Sequence, residues 1–196
     1  MSTGTRLPAA VRREQILDAT KALALERGFH AVSIDAVARA AGISRPIVYD
    51  HFRDLPGLLE ALVEREDARA REQLAAVVPR HPEGADLREA LLDATRRYLE
   101  AAQGDPDTWR LVLMPPEGAP ESMRARVEAG REEVIGGMRA AIGPLLEQRD
   151  VPDPELVVRM LSTLADDAVR LLLTDPERYP VERLLATTRW MLGRLV

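Results

Sequence analysis

The chain has 196 residues, of which 46 % are apolar and 30 % charged, with a formal net charge of -5. That is the make-up of a folded, water-soluble chain of one domain or two small ones. It excludes disulfides, thiolate metal sites and cysteine nucleophiles, because there is no cysteine. The three histidines, His30, His51 and His81, are too far apart in sequence to suggest a histidine metal site, and no cofactor is expected. The longest unbroken apolar run, Leu74 to Val78, is far shorter than the roughly 20 residues of a membrane span. Glu14, Asp18 and Lys21 interrupt the one N-terminal stretch with the character of a secretory leader, so the expected location is the cytoplasm.

Charge is unevenly spread. Residues 1–55 hold eight basic side chains against six acidic ones, whereas residues 56–196 hold 19 against 26. A slightly positive head therefore precedes an acidic body.

In chain order the pattern is helical throughout. Apolar residues recur at three- and four-residue spacing, and no alternating stretch of strand length occurs. Ile16, Ala19, Thr20 and Leu23 line a first helix that Gly28 stops. Ser33 caps a short second helix carrying Ile34, Val37 and Ala38, and Gly42 ends it. Ser44 caps a short third helix, with Pro46 tolerated in its first turn. Asp54 starts a long helix that carries Leu58, Leu59, Leu62 and Val63 and runs to about Val78. A loop follows over residues 79–84.

Helices are then expected over about 86–103 and 106–114, with a proline-rich break at 115–120. Met123, Val127, Gly130, Val134, Met138, Ala141, Ile142 and Leu145 form one face of a long helix. After the break at 151–154, Val157, Met160, Leu161, Leu164, Ala168, Leu171 and Leu172 stripe another. Val181, Leu184, Leu185, Thr188, Met191, Leu192 and Leu195 stripe the last. The fold class is all-α with about nine helices. Its parts are a three-helix head over 1–55, a connecting helix over 56–78 and a helical body over 79–196.

The stretch from Val32 to Phe52 carries the functional signal. Two short helices meet at a glycine turn. Ala36, Ala40 and Ala41 allow close approach, and Val37, Ile43, Val48 and Phe52 fill the junction. This is helix-turn-helix geometry, in which the second helix enters the major groove of DNA. Arg45, Pro46 and Ile47 stand at its start, where base edges are read. Arginine suits the O6 and N7 atoms of guanine, and the apolar pair suits a thymine methyl. Tyr49 and His51 lie one turn further on and can donate to flanking phosphates. Ser33 and the helix start behind it can hold another. On geometry alone an ordinary helical pair is the commoner reading, with Arg45 a solvated surface charge and Tyr49 and His51 half-buried with satisfied polar tips.

Residues 12–60 resemble the N-terminal domain of the TetR family of transcriptional regulators. The matching pieces are Arg13 with Ile16–Thr20, Glu26–Phe29, Ser33–Ile34, Ala41–Ser44, Val48–Phe52 and Leu58–Leu59. The resemblance implies a homodimer that binds a palindromic double-stranded DNA operator through a helix-turn-helix that includes Ser33 and Ser44. It further implies a C-terminal body that holds a small-molecule effector and releases the DNA, as a repressor does. An activator, or a regulator without an effector, is the alternative within the same fold. A helical enzyme is more remote, since the sequence offers no cysteine, paired histidines, glycine-rich phosphate loop or Ser-His-Asp arrangement, and so is a helix–helix interaction module, which has no reason to expose Arg, Tyr and His at recognition positions. Two positions depart from the family pattern. Ile47 replaces a common threonine, and Leu55 replaces a lysine that holds a phosphate, with Arg53 the nearest substitute. Asp50 adds a negative charge that can pair with Arg53, accept from a cytosine amine or face away.

Within the body, Tyr98, Trp109, Leu113, Met114, Met123 and Met138 are the candidate effector residues. Aromatic and methionine side chains make adaptable apolar walls, and Tyr and Trp add polar handles. Each also suits plain core. Asp166 and Asp167, with Arg170 three or four residues on, read as a surface ion pair. The alternative is a buried carboxylate that contacts a polar or cationic ligand.

Overall fold

The computed structural model describes residues 8–75, 77 and 86–195. The expected loop at 79–84 and the expected helix end at Val78 lie outside them. The described residues form nine α-helices and one 3-10 turn, with no strand among them. The helices are α1 (Ala9–Arg27), α2 (Ile34–Ala40), α3 (Arg45–His51), α4 (Leu55–Ala75), α5 (Leu87–Gly104), α6 (Pro106–Leu113), α7 (Glu121–Glu147), α8 (Pro154–Thr174) and α9 (Val181–Leu195). They pack into two compact units. The first holds residues up to Asp67 together with Pro115–Ala125, and the second holds Ala68–Met114 and Arg126–Val196.

In the first unit, local chemistry sets each helix end. Gly28 stops α1 with φ at 81°, and its N–H donates to the Ala24 carbonyl at 2.9 Å. The Ser33 hydroxyl accepts from the Ala36 N–H, capping α2. After Ala40 the chain turns at Gly42, where φ is 65°. The Ile43 N–H reaches back to the Ala38 carbonyl, and the Gly42 N–H to that of Arg39. These two bonds make a Schellman ending, which needs a left-handed residue at this place and so favours glycine. The turn fixes how α3 leaves α2.

The core of this unit includes Ile16, Leu17, Phe29, Val37, Val48, Phe52, Leu58 and Leu62. Val37, Val48 and Phe52 fill the junction as the sequence indicated, and Ile43 is half-buried. The Gln15 side chain donates to the Ala41 carbonyl and ties α1 to the end of α2. A buried ion pair joins α1 to α4, with Lys21 Nζ 2.8 Å from Glu66 Oε2. Arg65 braces it by bonding Glu66, Glu14 and Asp18. Burial opposes the Arg65 charge, but its hydrogen bond to Glu14 and the fields of Glu66 and Asp18 outweigh it and raise its pKa. The break at 115–120 also packs in this unit, where the Phe29 N–H donates to the Glu117 carbonyl at 2.9 Å. Gly118, with φ at 76°, lies so close that a side chain there would press on the His30 backbone.

In the second unit, α5 packs against α6, α8 and α9, and α6 packs against α8. Aspartates cap three of these helices: Asp86 accepts from Arg88 N–H, Asp105 from Thr108 N–H and Asp153 from Leu156 N–H. Pro106 and Pro154 follow two of the caps, in the first turn, where no N–H is required. The face expected on α7 is buried or half-buried, and Ile135 and Leu146 join it.

The stripe expected on α8 is corrected. Met160 and Leu164 face outward with Leu156, and the buried face is Val158, Ser162, Asp166, Val169, Leu172 and Leu173. The apolar arc covers about half of the helix and is offset from the side that is buried, so spacing alone does not place the inward side. Two polar residues on that side also hide it from a count of apolar positions. In α9, Leu184, Leu185 and Leu192 are buried while Trp190 is exposed with the Arg194 guanidinium 4.1 Å above its ring. No helix among the described residues is long and apolar enough to cross a membrane.

Candidate nucleic-acid interface

The surface of the first unit is organised by Val48. It is the one fully buried side chain of α3, and it turns the opposite side of the helix outward. Arg45, Pro46, Tyr49 and Asp50 are exposed there, with Ile47 and His51 half-buried. Tyr49 is 53 % exposed, an unusual position for an aromatic residue with no other role on a small helical head. Arg13 lies over the Phe52 ring at 4.5 Å and covers the end of α3. Ser33 and Ser44 are exposed just before α2 and α3. All seven sequence candidates for DNA contact thus belong to the surface of α3 or to the helix starts at 33 and 44.

One local expectation changes and one open choice narrows. The Ser44 hydroxyl makes no capping bond. Pro46 has no N–H to offer, and the Ile47 N–H is taken by the Ser44 carbonyl at 3.1 Å, so the hydroxyl stays on the surface. Asp50 is exposed, and no ion pair joins it to Arg53 among the described residues. Arg45 pairs instead with Asp35, through its Nε and the Oδ1 of the carboxylate. Nothing in the sequence reading linked these two residues, because their partnership depends on the angle of the turn at Gly42.

In the second unit the effector candidates divide. Tyr98, Trp109 and Leu113 are buried together in one core, and Met114 and Met138 pack on it half-buried. The Tyr98 and Trp109 rings meet edge to face with centroids 4.9 Å apart. Met123 is buried in the first unit and does not join them.

The core has a polar seam built on Asp166, the buried carboxylate that is the second sequence reading of this residue. The Tyr98 hydroxyl donates to Asp166 Oδ1 at 2.9 Å, and Arg131 Nη2 donates to Asp166 Oδ2 at 3.2 Å. Burial and the adjacent Asp166 charge hold the Tyr98 pKa well above its ordinary value. The Trp109 indole N–H donates to Gln73 Oε1 at 2.7 Å. The surface pairing expected between Asp166 and Arg170 is corrected: Asp166 is buried, and Arg170 Nε donates to the Leu113 carbonyl. The available signal was a carboxylate in the middle of an apolar helix, to which the stronger local rule of i,i+4 pairing gave the wrong partner. An open groove of about 650 Å³ lies elsewhere in this unit, lined by residues that include Gly136, Arg139, Pro144 and Glu155, and contains no effector candidate.

Residues 16–62 match the model of bacterial regulatory proteins of the tetR family. The match spans α1, α2, α3 and the start of α4, the elements that carry the surface described above. The head thus resembles the N-terminal domain of the TetR family. A TetR-like regulator structure from Rhodococcus sp. RHA1 superposes with a TM-score of 0.76 at 25 % identity, covering 96 % of this chain and 97 % of that one. FadR from Bacillus subtilis, solved with stearoyl-CoA, superposes with a TM-score of 0.67 at 16 % identity, covering 93 % and 98 %, and is alike in fold.

Among curated relatives, the transcriptional activator FasR of Mycolicibacterium smegmatis is 30 % identical over 110 residues, 56 % of this chain and 49 % of FasR. The regulator BetI of Yersinia pestis is 38 % identical over 76 residues, 37 % of this chain and 38 % of BetI. The chain therefore matches half or less of the length of these curated relatives. The TetR-family likeness is strongest in the head, and it extends over the body as a fold.

Proposed function

We propose that this chain is a DNA-binding transcriptional regulator of the TetR family, acting as a homodimer in the cytoplasm. The observation that carries the reading is the outward array of Arg45, Pro46 and Tyr49 on α3 around a buried Val48. Arg45, Pro46 and Ile47 read base edges in the major groove, and Tyr49, His51, Ser33 and Ser44 hold the flanking phosphates. With few basic residues in the head, one copy binds weakly. A second copy on the same body supplies the effective concentration that a palindromic operator requires.

The body is proposed to hold a largely apolar small-molecule effector at the core of Tyr98, Trp109, Leu113, Met114 and Met138. Its aromatic pair and half-buried methionines support this, and Met123 is no longer among the candidates. The fold neighbour solved with stearoyl-CoA makes a long acyl compound a reasonable first probe. Effector binding shifts DNA affinity only by its unequal affinity for the bound and released states. Release of a repressor is the leading mode. Activation is the second reading, favoured by the likeness to an activator over 110 residues.

The deciding experiment is a gel shift with the DNA immediately upstream of the chain's own gene, against a shuffled fragment of the same length. Selective retardation of the upstream fragment supports the reading, and equal or absent retardation of both overturns it.

A further inference from the structure

We propose that Asp35 is a positioning residue for base recognition, holding the Arg45 guanidinium in the orientation that reads guanine. The inference rests on the DNA-binding reading above.

Asp35 stands in the first turn of α2, and Arg45 is the first residue of α3. The Schellman turn at Gly42 brings these two helix starts together. The Asp35 carboxylate forms an ion pair with the Arg45 guanidinium on its Nε side. That choice of nitrogen matters. Engaging Nε leaves both Nη groups of the planar fork unspent, and a fork with two free nitrogens is what guanine O6 and N7 accept.

Charge supports the same assignment. A helix N-terminus carries a partial positive charge, so an arginine at the start of α3 is locally disfavoured, whereas an aspartate in the first turn of α2 is favoured. The Asp35 carboxylate offsets the first effect and is itself stabilised by the second. A bare carboxylate beside a DNA-reading helix would otherwise repel the phosphates that the helix approaches. The side chains of Arg45 and Asp35 are 65 % and 42 % exposed, so as a fold-stabilising contact the pair is worth little. Its use lies in limiting the rotamers of a long side chain before DNA arrives, which lowers the ordering cost on binding.

The test starts from the full-length protein and a pool of random double-stranded DNA. The selected site is then compared with single base-pair variants for the parent, Asp35→Ala and Arg45→Ala/Asp35→Ala. Asp35→Ser is a second variant that keeps a helix-starting hydroxyl too short to hold Arg45, and thermal melting confirms that each protein folds. Asp35→Ala and Asp35→Ser are expected to lose roughly two- to fivefold in discrimination at the base pair read by Arg45, with none lost at other positions. In the Arg45→Ala background, removing Asp35 is expected to change discrimination at no position. If Asp35 acts only as a repelling charge, both single variants bind matched and mismatched DNA more tightly by one common factor, and the proposal is overturned. A parent that selects no sequence from the pool overturns the DNA-binding reading itself. A parent that selects a site which the variants discriminate equally well overturns only the role of Asp35.

Discussion

Tyr98 on α5 and Asp166 on α8 are joined by a 2.9 Å hydrogen bond in the core of the second unit, with the tyrosine as donor. Asp166 also accepts from Arg131 on α7, so one carboxylate ties three helices together. A buried carboxylate is tolerated only with such partners, because an unpaired one carries a large desolvation cost.

The first prediction is that Tyr98→Phe destabilises the protein by about 1–3 kcal/mol, because it deletes a donor and leaves Asp166 short of one partner. The substitution also changes the alkaline limb of stability. The folded Tyr98 pKa lies well above the ordinary value near 10, so the folded state favours the protonated phenol. Its contribution is full below the unfolded pKa and is lost as pH rises through that value toward the folded one. Denaturant midpoints from pH 8 to 11 should therefore fall less steeply in Tyr98→Phe than in the parent. Equal slopes in the two proteins would remove Tyr98 as the cause.

In the proposed recognition surface, Arg45→Ala should cost about 1–3 kcal/mol on the selected operator and relax preference at one base pair per half-site. Tyr49→Phe and His51→Ala should weaken matched and mismatched DNA by similar factors, because phosphates carry no sequence information. Fluorescence anisotropy with matched and singly mismatched duplexes separates the two patterns. A change of preferred base in Tyr49→Phe would reassign that residue to base reading.

The head was legible in sequence because its signals are local. Gly28, Ser33, Gly42 and Asp54 act on chain segments a few residues away, and each stops or starts a helix where its chemistry indicates. The body was legible as helices but not as faces. On α8, outward Met160 and Leu164 are as apolar as inward Val158 and Val169, and the positions of the helices packed on it, α5 and α6, decide between them. The bonds of Asp166 to Tyr98 and Arg131, and of Trp109 to Gln73, span 35 to 68 residues, and no local rule reports them. The Asp35–Arg45 pair spans only ten positions, yet it depends on the turn geometry between two helices.

Trp109 illustrates how the structure changes the choice of variant. It is fully buried, so Trp109→Ala should cost about 3–5 kcal/mol and confuse lost response with lost folding. Trp109→Phe keeps the ring contact with Tyr98 and removes the bond to Gln73. Under the proposed effector site, this variant should retain DNA affinity and need a higher concentration of an active acyl probe for the same change in DNA binding. An unchanged response would make Trp109 a core residue without a part in effector binding.

The last prediction concerns assembly, for which Leu161 and Leu164 on α8 and Leu185 and Trp190 on α9 are the residues to compare. The structure separates them. Leu185 is buried against its own unit, so Leu185→Glu should unfold the protein rather than divide a dimer. Leu161 is half-buried and should give a mixed result. Leu164 and Trp190 are 46 % and 59 % exposed, and Leu156 and Met160 extend the α8 stripe at four-residue spacing. Large apolar side chains repeated on one helix face are costly to leave in water and fit a two-fold interface, in which each residue meets the partner's copy of the same surface. Leu164→Glu and Trp190→Glu should therefore keep the parent's helical content by circular dichroism while sedimenting as monomers. Both should also lose operator affinity, because a single head lacks the second half-site. The two heads of the parent dimer should engage half-sites roughly 34–36 Å apart, or a multiple of that distance, so inserting five base pairs between them should abolish binding in the parent and leave the weak binding of the monomeric variants unchanged. If both glutamate variants sediment as dimers, or the parent is a monomer at micromolar concentration, the interface lies elsewhere.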